Sequence, residues 1–236
     1  MRIIRKITVK YDNKMLTITE AEQIQKGLSS QIIETDELPD KIKYIGGADV
    51  EYDKESDTIV GAIVVLDYET KELLDSASYA MEASFPYIPG LFSFREMPPL
   101  LESFKKLRIY PDLIICDAHG IAHPRRFGLA CHLGVELGIP TIGCAKSRLV
   151  GKYNPVTTDR ASISDLLDET TNEIIGKVLR TQKDINPVFV SIGHKISINT
   201  ACKIVLDMTS DFRLPETTRI SDALAREALM NYKKNR

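Results

Sequence analysis

Three strand-like runs, Tyr44 to Tyr52, Thr58 to Asp67 and Leu73 to Met81, follow one another with only short polar connectors between them. Those connectors, Asp53-Lys54-Glu55-Ser56-Asp57 and Tyr68-Glu69-Thr70-Lys71, are too short for the crossover that parallel neighbours need, so an antiparallel meander is expected. The pattern then changes to strand–helix alternation. Phe94 to Leu107 has helical spacing, interrupted near its start by Pro98-Pro99, and Leu113 to Cys116 is a short apolar strand. Phe127 to Leu137 is amphipathic and ends at Gly138 with Pro140 just beyond, a helix stop, and Thr141 to Cys144 is a further strand. Pro187 to Ile192 supplies another strand, Ile198 to Met208 and Ser221 to Tyr232 two helices, and Ile18 to Ile33 an earlier helix capped by Thr17 or Thr19. The fold class expected is α/β, with a mixed central sheet flanked by helices on both faces.

The 236 residues contain no Gly/Ser linker, repeat or low-complexity tract, and the polar break from Tyr153 to Arg160 is of ordinary loop length, so one domain over residues 1–236 is expected. No run approaches the roughly 20 apolar residues of a membrane-spanning helix. Met1-Arg2-Ile3-Ile4-Arg5-Lys6 is charged but has no apolar core after it, so no signal peptide is expected. Cys116, Cys131, Cys144 and Cys202 form no C-x-x-C pair and are expected as reduced structural thiols of a cytoplasmic protein. The net charge of −2 argues against a broad nucleic-acid-coating surface but leaves room for local basic groups at Arg125-Arg126, Lys146, Arg148 and Lys152.

Carboxylates are the first candidates for chemistry. Asp49 lies in a strand of small and apolar neighbours, Gly46, Gly47, Ala48 and Val50, where a charge is costly unless paired or metal-bound. Asp117 ends the apolar run Leu113-Ile114-Ile115-Cys116, at the carboxyl end of a strand where α/β sheets bind ligands. Glu96 falls at a helix start. Converging carboxylates without His or Cys suit a hard cation, Mg²⁺ with Mn²⁺ as substitute, and two such ions about 3.5–4 Å apart can drive phosphodiester hydrolysis. Structural readings stand beside each: an Asx turn for Asp117, an ion pair for Asp49, and a macrodipole charge for Glu96. Lys146 serves equally as a phosphate contact or a solvated strand-end lysine. His119 and His123 have zinc-pair spacing, but Gly120 and Pro124 make their segment a loop, and His123 is better read as a polar group beside a phosphate.

The text around these residues resembles one family. Pro86-Tyr87-Ile88-Pro89-Gly90-Leu91-Phe92-Ser93-Phe94-Arg95-Glu96 is similar to the Tyr-Ile-Pro-Gly…Phe-Arg-Glu signature of endonuclease V. The stretch from Pro111 through Asp117-Ala118-His119-Gly120-Ile121-Ala122-His123 to Arg126 resembles its second signature, and Ile139 to Ser147 its third. Gly47-Ala48-Asp49-Val50 resembles its first-strand motif, and Pro215-Glu216-Thr217-Thr218-Arg219-Ile220-Ser221-Asp222 a late one. The resemblance is strong from about Gly46 to Gly151 and continues weakly to Ala228. It implies a ribonuclease H-like core, to which secondary structure alone does not point uniquely.

The resemblance also implies an activity: cation-dependent cleavage of deoxyinosine-containing DNA at the second phosphodiester 3′ to the lesion, leaving 3′-hydroxyl and 5′-phosphate ends, in DNA repair. It assigns Asp49, Glu96, Asp117, Lys146 and His123 to catalysis, and Asp222 joins Asp49, Glu96 and Asp117 as a metal-site residue. The structural alternative for Asp222 is an i, i+4 pair with Arg226. Tyr87, held between two prolines, becomes a strand-separating wedge instead of a half-exposed turn residue. Ile88, Pro89, Gly90, Leu91 and Phe92, with Ala118, His119 and Gly120, become substrate-binding, and main-chain groups read hypoxanthine. One departure stands out: the family commonly has Gly where this chain has Ala118, whose methyl bears on base selectivity more than on metal chemistry. The expected partner is inosine-containing DNA, or RNA if the chain is an inosine-specific endoribonuclease, and the expected state is a monomer. A non-catalytic nucleic-acid-binding module is the reading from another class, opposed by the intact acidic set.

Overall fold

The structure is a computed structural model and describes residues 16–235. Its most apolar strand, β2 (Thr58–Asp67), is buried at successive positions, because helices cover both faces of the sheet. Ile63 and Val65 pack with Met97, Leu100, Leu101 and Phe104 of α2 (Phe92–Lys105). Val64 and Leu66 face the other way, toward Ile204 and Val205 of α4 (Ile198–Asp207) and Leu224 of α5 (Glu216–Lys234). Each fully buried aliphatic side chain contributes about 1.5–3 kcal/mol, so this strand anchors both layers.

With α1 (Ile18–Ser29), β1 (Tyr44–Tyr52), β3 (Leu73–Glu82), β4 (Leu113–Cys116), α3 (Leu129–Leu137), β5 (Thr141–Ala145), β6 (Ile163–Leu167), β7 (Ile174–Leu179) and β8 (Val188–His194), the strands form one eight-stranded sheet in the order β3-β2-β1-β4-β5-β8-β7-β6. The expected meander is present: β1 pairs antiparallel with β2, and β2 with β3. β1 also pairs parallel with β4, and β4 with β5, so the sheet is mixed. The β1–β4 register places Ala48 beside Cys116, and the Asp117 amide donates to the Ala48 carbonyl at 3.1 Å. Asp49 and Asp117 therefore leave adjacent strands level with each other.

Several boundaries differ from the sequence expectation. α1 ends at Ser29, and of the two candidate caps Thr17 is the one used, in a capping box with Glu20. Pro98-Pro99 do not interrupt α2, which already begins at Phe92. That helix lies so close to β2 that a Cβ on Gly61 would fall 2.6 Å from the Pro99 carbonyl carbon, and Ser103 Oγ bridges the Gly61 and Pro99 carbonyls. Tertiary packing outweighs the lost backbone bonds. The β6–β7 hairpin was not expected at all, and α5 starts at Glu216 instead of Ser221. All four cysteines are buried and free. Among the described residues no helix is long and apolar enough to cross a membrane. The signal-peptide reading of residues 1–6 lies outside the described residues.

α5 rests on β1 at Gly47, where an added Cβ would meet the Thr217 carbonyl oxygen at 2.2 Å. Gly47→Ala is expected to push α5 off the sheet, at a cost of about 1–3 kcal/mol. Thermal unfolding should drop by roughly 3–10 °C for a chain of this size. An unchanged Tm would show that the helix–strand contact yields freely.

Candidate metal centre and adjoining cavity

Oxygens of Asp49 on β1, Asp117 just after β4 and Asp222 on α5 all lie within 4.8 Å of one another. The strand register brings the first two together, and the close seat of α5 on Gly47 delivers the third. Asp49 accepts from the Val50 amide at 2.8 Å and, among the described residues, makes no salt bridge. The Lys146 ammonium, just past β5, sits 2.5 Å from Asp117 Oδ2 and 3.8 Å from Asp222 Oδ1. Arg213 donates to the backbone carbonyls of Lys146 and Pro187, fixing the strand end that carries this lysine. The Arg226–Asp222 pair also forms, at 2.8 Å, so Asp222 serves both the helix pair and the cluster.

Glu96 stands apart from this trio. It lies in the second turn of α2, past the reach of a first-turn macrodipole effect, and accepts from Tyr52 Oη at 2.6 Å. Its side chain lines the same cavity as Asp117.

Electrostatics show what the cluster lacks. Burial, then the neighbouring Asp117, push Asp49 up to about 8, against the pull of the Val50 amide and Lys146. Burial pushes Glu96 to about 7, with the Tyr52 hydroxyl opposing. Asp117 is raised by burial and held back by Lys146. A cluster that cannot ionise fully on its own, made only of oxygen donors and already drawing in an ammonium, fits a hard divalent cation. Among the described residues no histidine joins such a group.

Beside the carboxylates opens a cavity of about 310 Å³, near the lower end of small-ligand sites. Of the residues expected to bind substrate or phosphate, Gly90, Phe92, Ala118, His119, His123 and Lys146 line it. Leu91 and Gly120 do not: Leu91 packs with Phe85 and Phe94, and the Gly120 amide donates to Ser191 Oγ at 2.8 Å. Ile88 packs on the Leu91 cluster, while Pro89 is exposed. Tyr87 is 66% exposed, its ring 4.4 Å from Phe92 and edge-on to Tyr52 at 6.3 Å.

Sequence reasoning gave no site role to Gln25, Ser93, Gly128, Leu129, Ala145, Ser147 and Leu149 on the cavity wall. Leu149, a large apolar residue 46% exposed, and Gln25, a polar residue on the packed face of α1, acquire their places only in the folded chain. Ser93 Oγ and His119 Nδ1 are buried without a hydrogen-bond partner. Burial holds the His119 and His123 imidazoles down near 4, so both are neutral at pH 7. The expected basic patch is smaller than the sequence suggested. Arg125 turns inward to Glu22, Gln25 and Gly90, and Arg126 pairs with Asp168 at 2.8 Å.

A mixed sheet with helices on both faces and an acidic centre at its strand ends defines a ribonuclease H-like protein. The profile of the Endonuclease V family matches residues 26–223. Endonuclease V of Trichormus variabilis is 44% identical over 210 residues, 89% of this chain and 94% of that one. The crystal structure of Streptomyces avermitilis endonuclease V superposes with a TM-score of 0.88 at 41% identity, covering 95% of this chain and 98% of that one. Ciona intestinalis endonuclease V, solved with a 24mer DNA containing an inosine followed by a ribo-adenosine, gives 0.80 at 29% identity over 91% and 98% of the two chains. This chain belongs to the endonuclease V family of nucleases.

Proposed function

We propose that this chain is a Mg²⁺-dependent endonuclease, with Mn²⁺ as a substitute, that recognises deoxyinosine in DNA. It hydrolyses the second phosphodiester 3′ to the lesion and leaves 3′-hydroxyl and 5′-phosphate ends, a repair reaction. The observation that carries the reading is that Asp117 and Lys146 belong at once to the carboxylate centre and to the wall of a base-sized cavity. The inosine-containing DNA bound by the Ciona relative supports the substrate class.

Asp49, Asp117 and Asp222 would hold the cation, with Glu96 beside them on the cavity wall. A divalent ion there supplies charge to activate water and steady the leaving oxygen. Lys146, its backbone gripped by Arg213, presents an ammonium to a phosphate oxygen. His123 accepts from the Arg125 amide through Nδ1 and turns its other ring nitrogen to the Gly90 carbonyl, so this neutral imidazole would reach a phosphate by exchanging that contact. Ser93 Oγ and His119 Nδ1 offer unused polar atoms to a base edge, and the Ala118 methyl narrows the space beside them. Tyr87 takes the place of the extruded base, an exchange worth about 1–3 kcal/mol of stacking.

For Tyr87→Ala, Kd for an inosine-containing strand should therefore rise about 5- to 150-fold, with Mn²⁺ affinity retained; unchanged strand affinity removes the wedge role. Matched DNA and RNA oligonucleotides, each with one inosine, assayed in Mg²⁺ test the function itself. The expected result is preferential DNA cleavage at the second 3′ phosphodiester. An inosine-directed ribonuclease is the second reading, favoured by the ribo-adenosine after the inosine in the Ciona complex, and preferential RNA cleavage would establish it. Binding without cleavage in either cation would leave only a binding module.

A further inference from the structure

We infer that Gln25, from α1, is a positioning residue that sets the width of the cavity and with it the discrimination of inosine; this rests on the base-recognition reading above. Gln25 is 1% exposed on the packed face of its helix, and each of its polar atoms is engaged. Its Nε2 donates to the carbonyls of Gly90 and Phe127, both at 3.1 Å, and its Oε1 accepts from Arg125 Nε at 2.5 Å. Arg125 in turn donates to the same Gly90 carbonyl at 2.7 Å and to Glu22 at 3.1 Å.

These bonds join two walls that the main chain does not connect locally. Gly90, with φ +79°, ends the exposed Tyr87 loop and precedes the helix carrying Glu96. Phe127 precedes Gly128 and Leu129, which also line the cavity, and the Gly128 amide donates to the Gly120 carbonyl at 3.0 Å. One amide therefore ties together two separate segments of the cavity wall, and the guanidinium braces it. A Cβ on Gly90 would lie 2.8 Å from Arg125 Nη2, so a side chain there would displace the brace. The carboxylates share none of these bonds, so the device acts on the base and leaves the cation site alone.

Gln25→Glu keeps the volume and the Arg125 contact but removes both carbonyl donors; Arg125→Met keeps Gln25 and removes the brace. Steady-state cleavage of single-inosine DNA, a control strand with adenine, Mn²⁺ affinity by calorimetry, and Tm are measured on wild type and both variants. For Gln25→Glu, KM for the inosine strand should rise about ten- to hundredfold, as expected for two lost hydrogen bonds, with the Phe127 carbonyl stranded and the Gly90 carbonyl left to Arg125. Its kcat and Mn²⁺ affinity should stay within about threefold of wild type, while inosine-over-adenine preference falls with KM. Arg125→Met should move the same way by a smaller factor. Unchanged KM and preference in folded Gln25→Glu overturns the inference, as does an equal fall in kcat and Mn²⁺ affinity. If Gln25→Glu fails to fold, the Arg125→Met split decides alone. A wild type that neither binds nor cleaves inosine strands defeats the functional reading instead, whatever the variants do.

Discussion

Asp49→Asn is expected to abolish strand cleavage while leaving the cation-free protein at least as stable as the wild type. Asparagine is nearly isosteric with aspartate and still accepts the Val50 amide bond that holds the side chain. It cannot supply the anionic oxygen that Asp117 and Asp222 need as a third partner. Cation charge at a reacting phosphate is worth several kcal/mol, so activity should fall by about a thousandfold or more. Stability moves the other way, because the Asp49 carboxyl is pushed up to about 8 by burial and by Asp117. One pKa unit corresponds to about 1.4 kcal/mol, and partial solvent access reduces the sum to a gain of about 1–2 kcal/mol at pH 8.5. Thermal unfolding in EDTA beside a cleavage assay checks both halves. Retained activity would remove Asp49 from the centre; lost activity with a collapsed Tm would make its role structural.

The stabilisation given by Mg²⁺ should depend steeply on pH. Unfolded carboxyls titrate near 4, whereas Asp49 and Glu96 in the cation-free fold titrate at about 8 and about 7. Between those limits the fold binds protons that the unfolded chain has lost, so this contribution weakens as pH rises through the window. A bound cation keeps the carboxylates ionised and cancels the penalty. At saturating Mg²⁺ the rise in Tm should be about 5–10 °C at pH 8.5 and small near pH 5.5, a few kcal/mol in free energy. Calorimetry at pH 7 should register release of about one proton per binding event. Buried histidines give the opposite slope. His119 and His123, held near 4, stay neutral in the fold while the unfolded chain takes protons below about 6.5, so their stability is lost as pH falls from there toward 4. The Mg²⁺-saturated protein should therefore show the sharper acid limb. A Mg²⁺ effect independent of pH would contradict the carboxylate site.

Legibility in the sequence followed burial and turn chemistry. β1 and β2 read correctly end to end because dense apolar runs stop at polar turns. The β6–β7 hairpin escaped because β6 is a half-exposed edge strand, with Ile163 facing solvent and no long alternation. Its turn was nonetheless written in Asp168, whose carboxylate accepts from the Thr170 and Thr171 amides at 2.8 and 2.9 Å. At the site, Asp49 stood out as a charge among small and apolar neighbours and Asp117 as the end of an apolar strand, and the parallel β1–β4 register sets the two level. Asp222 was not, because no local pattern states where α5 docks; only the resemblance suggested it. Gln25 went unread for the same reason: one amide in an apolar stripe acquires a role only when Gly90 and Phe127 arrive against it.

α5 has a consequence for the order of synthesis. Two of the three clustered carboxylates lie in the first half of the described chain and can come together as soon as β4 joins β1, but the third arrives only with α5. A nascent chain can thus hold the central strands together before its acidic cluster is complete. Because such long-range closure is slow compared with local strand and helix formation, catalytic competence should arise as the final event of folding. A half-made nuclease on the ribosome, surrounded by nucleic acid, would then be inert.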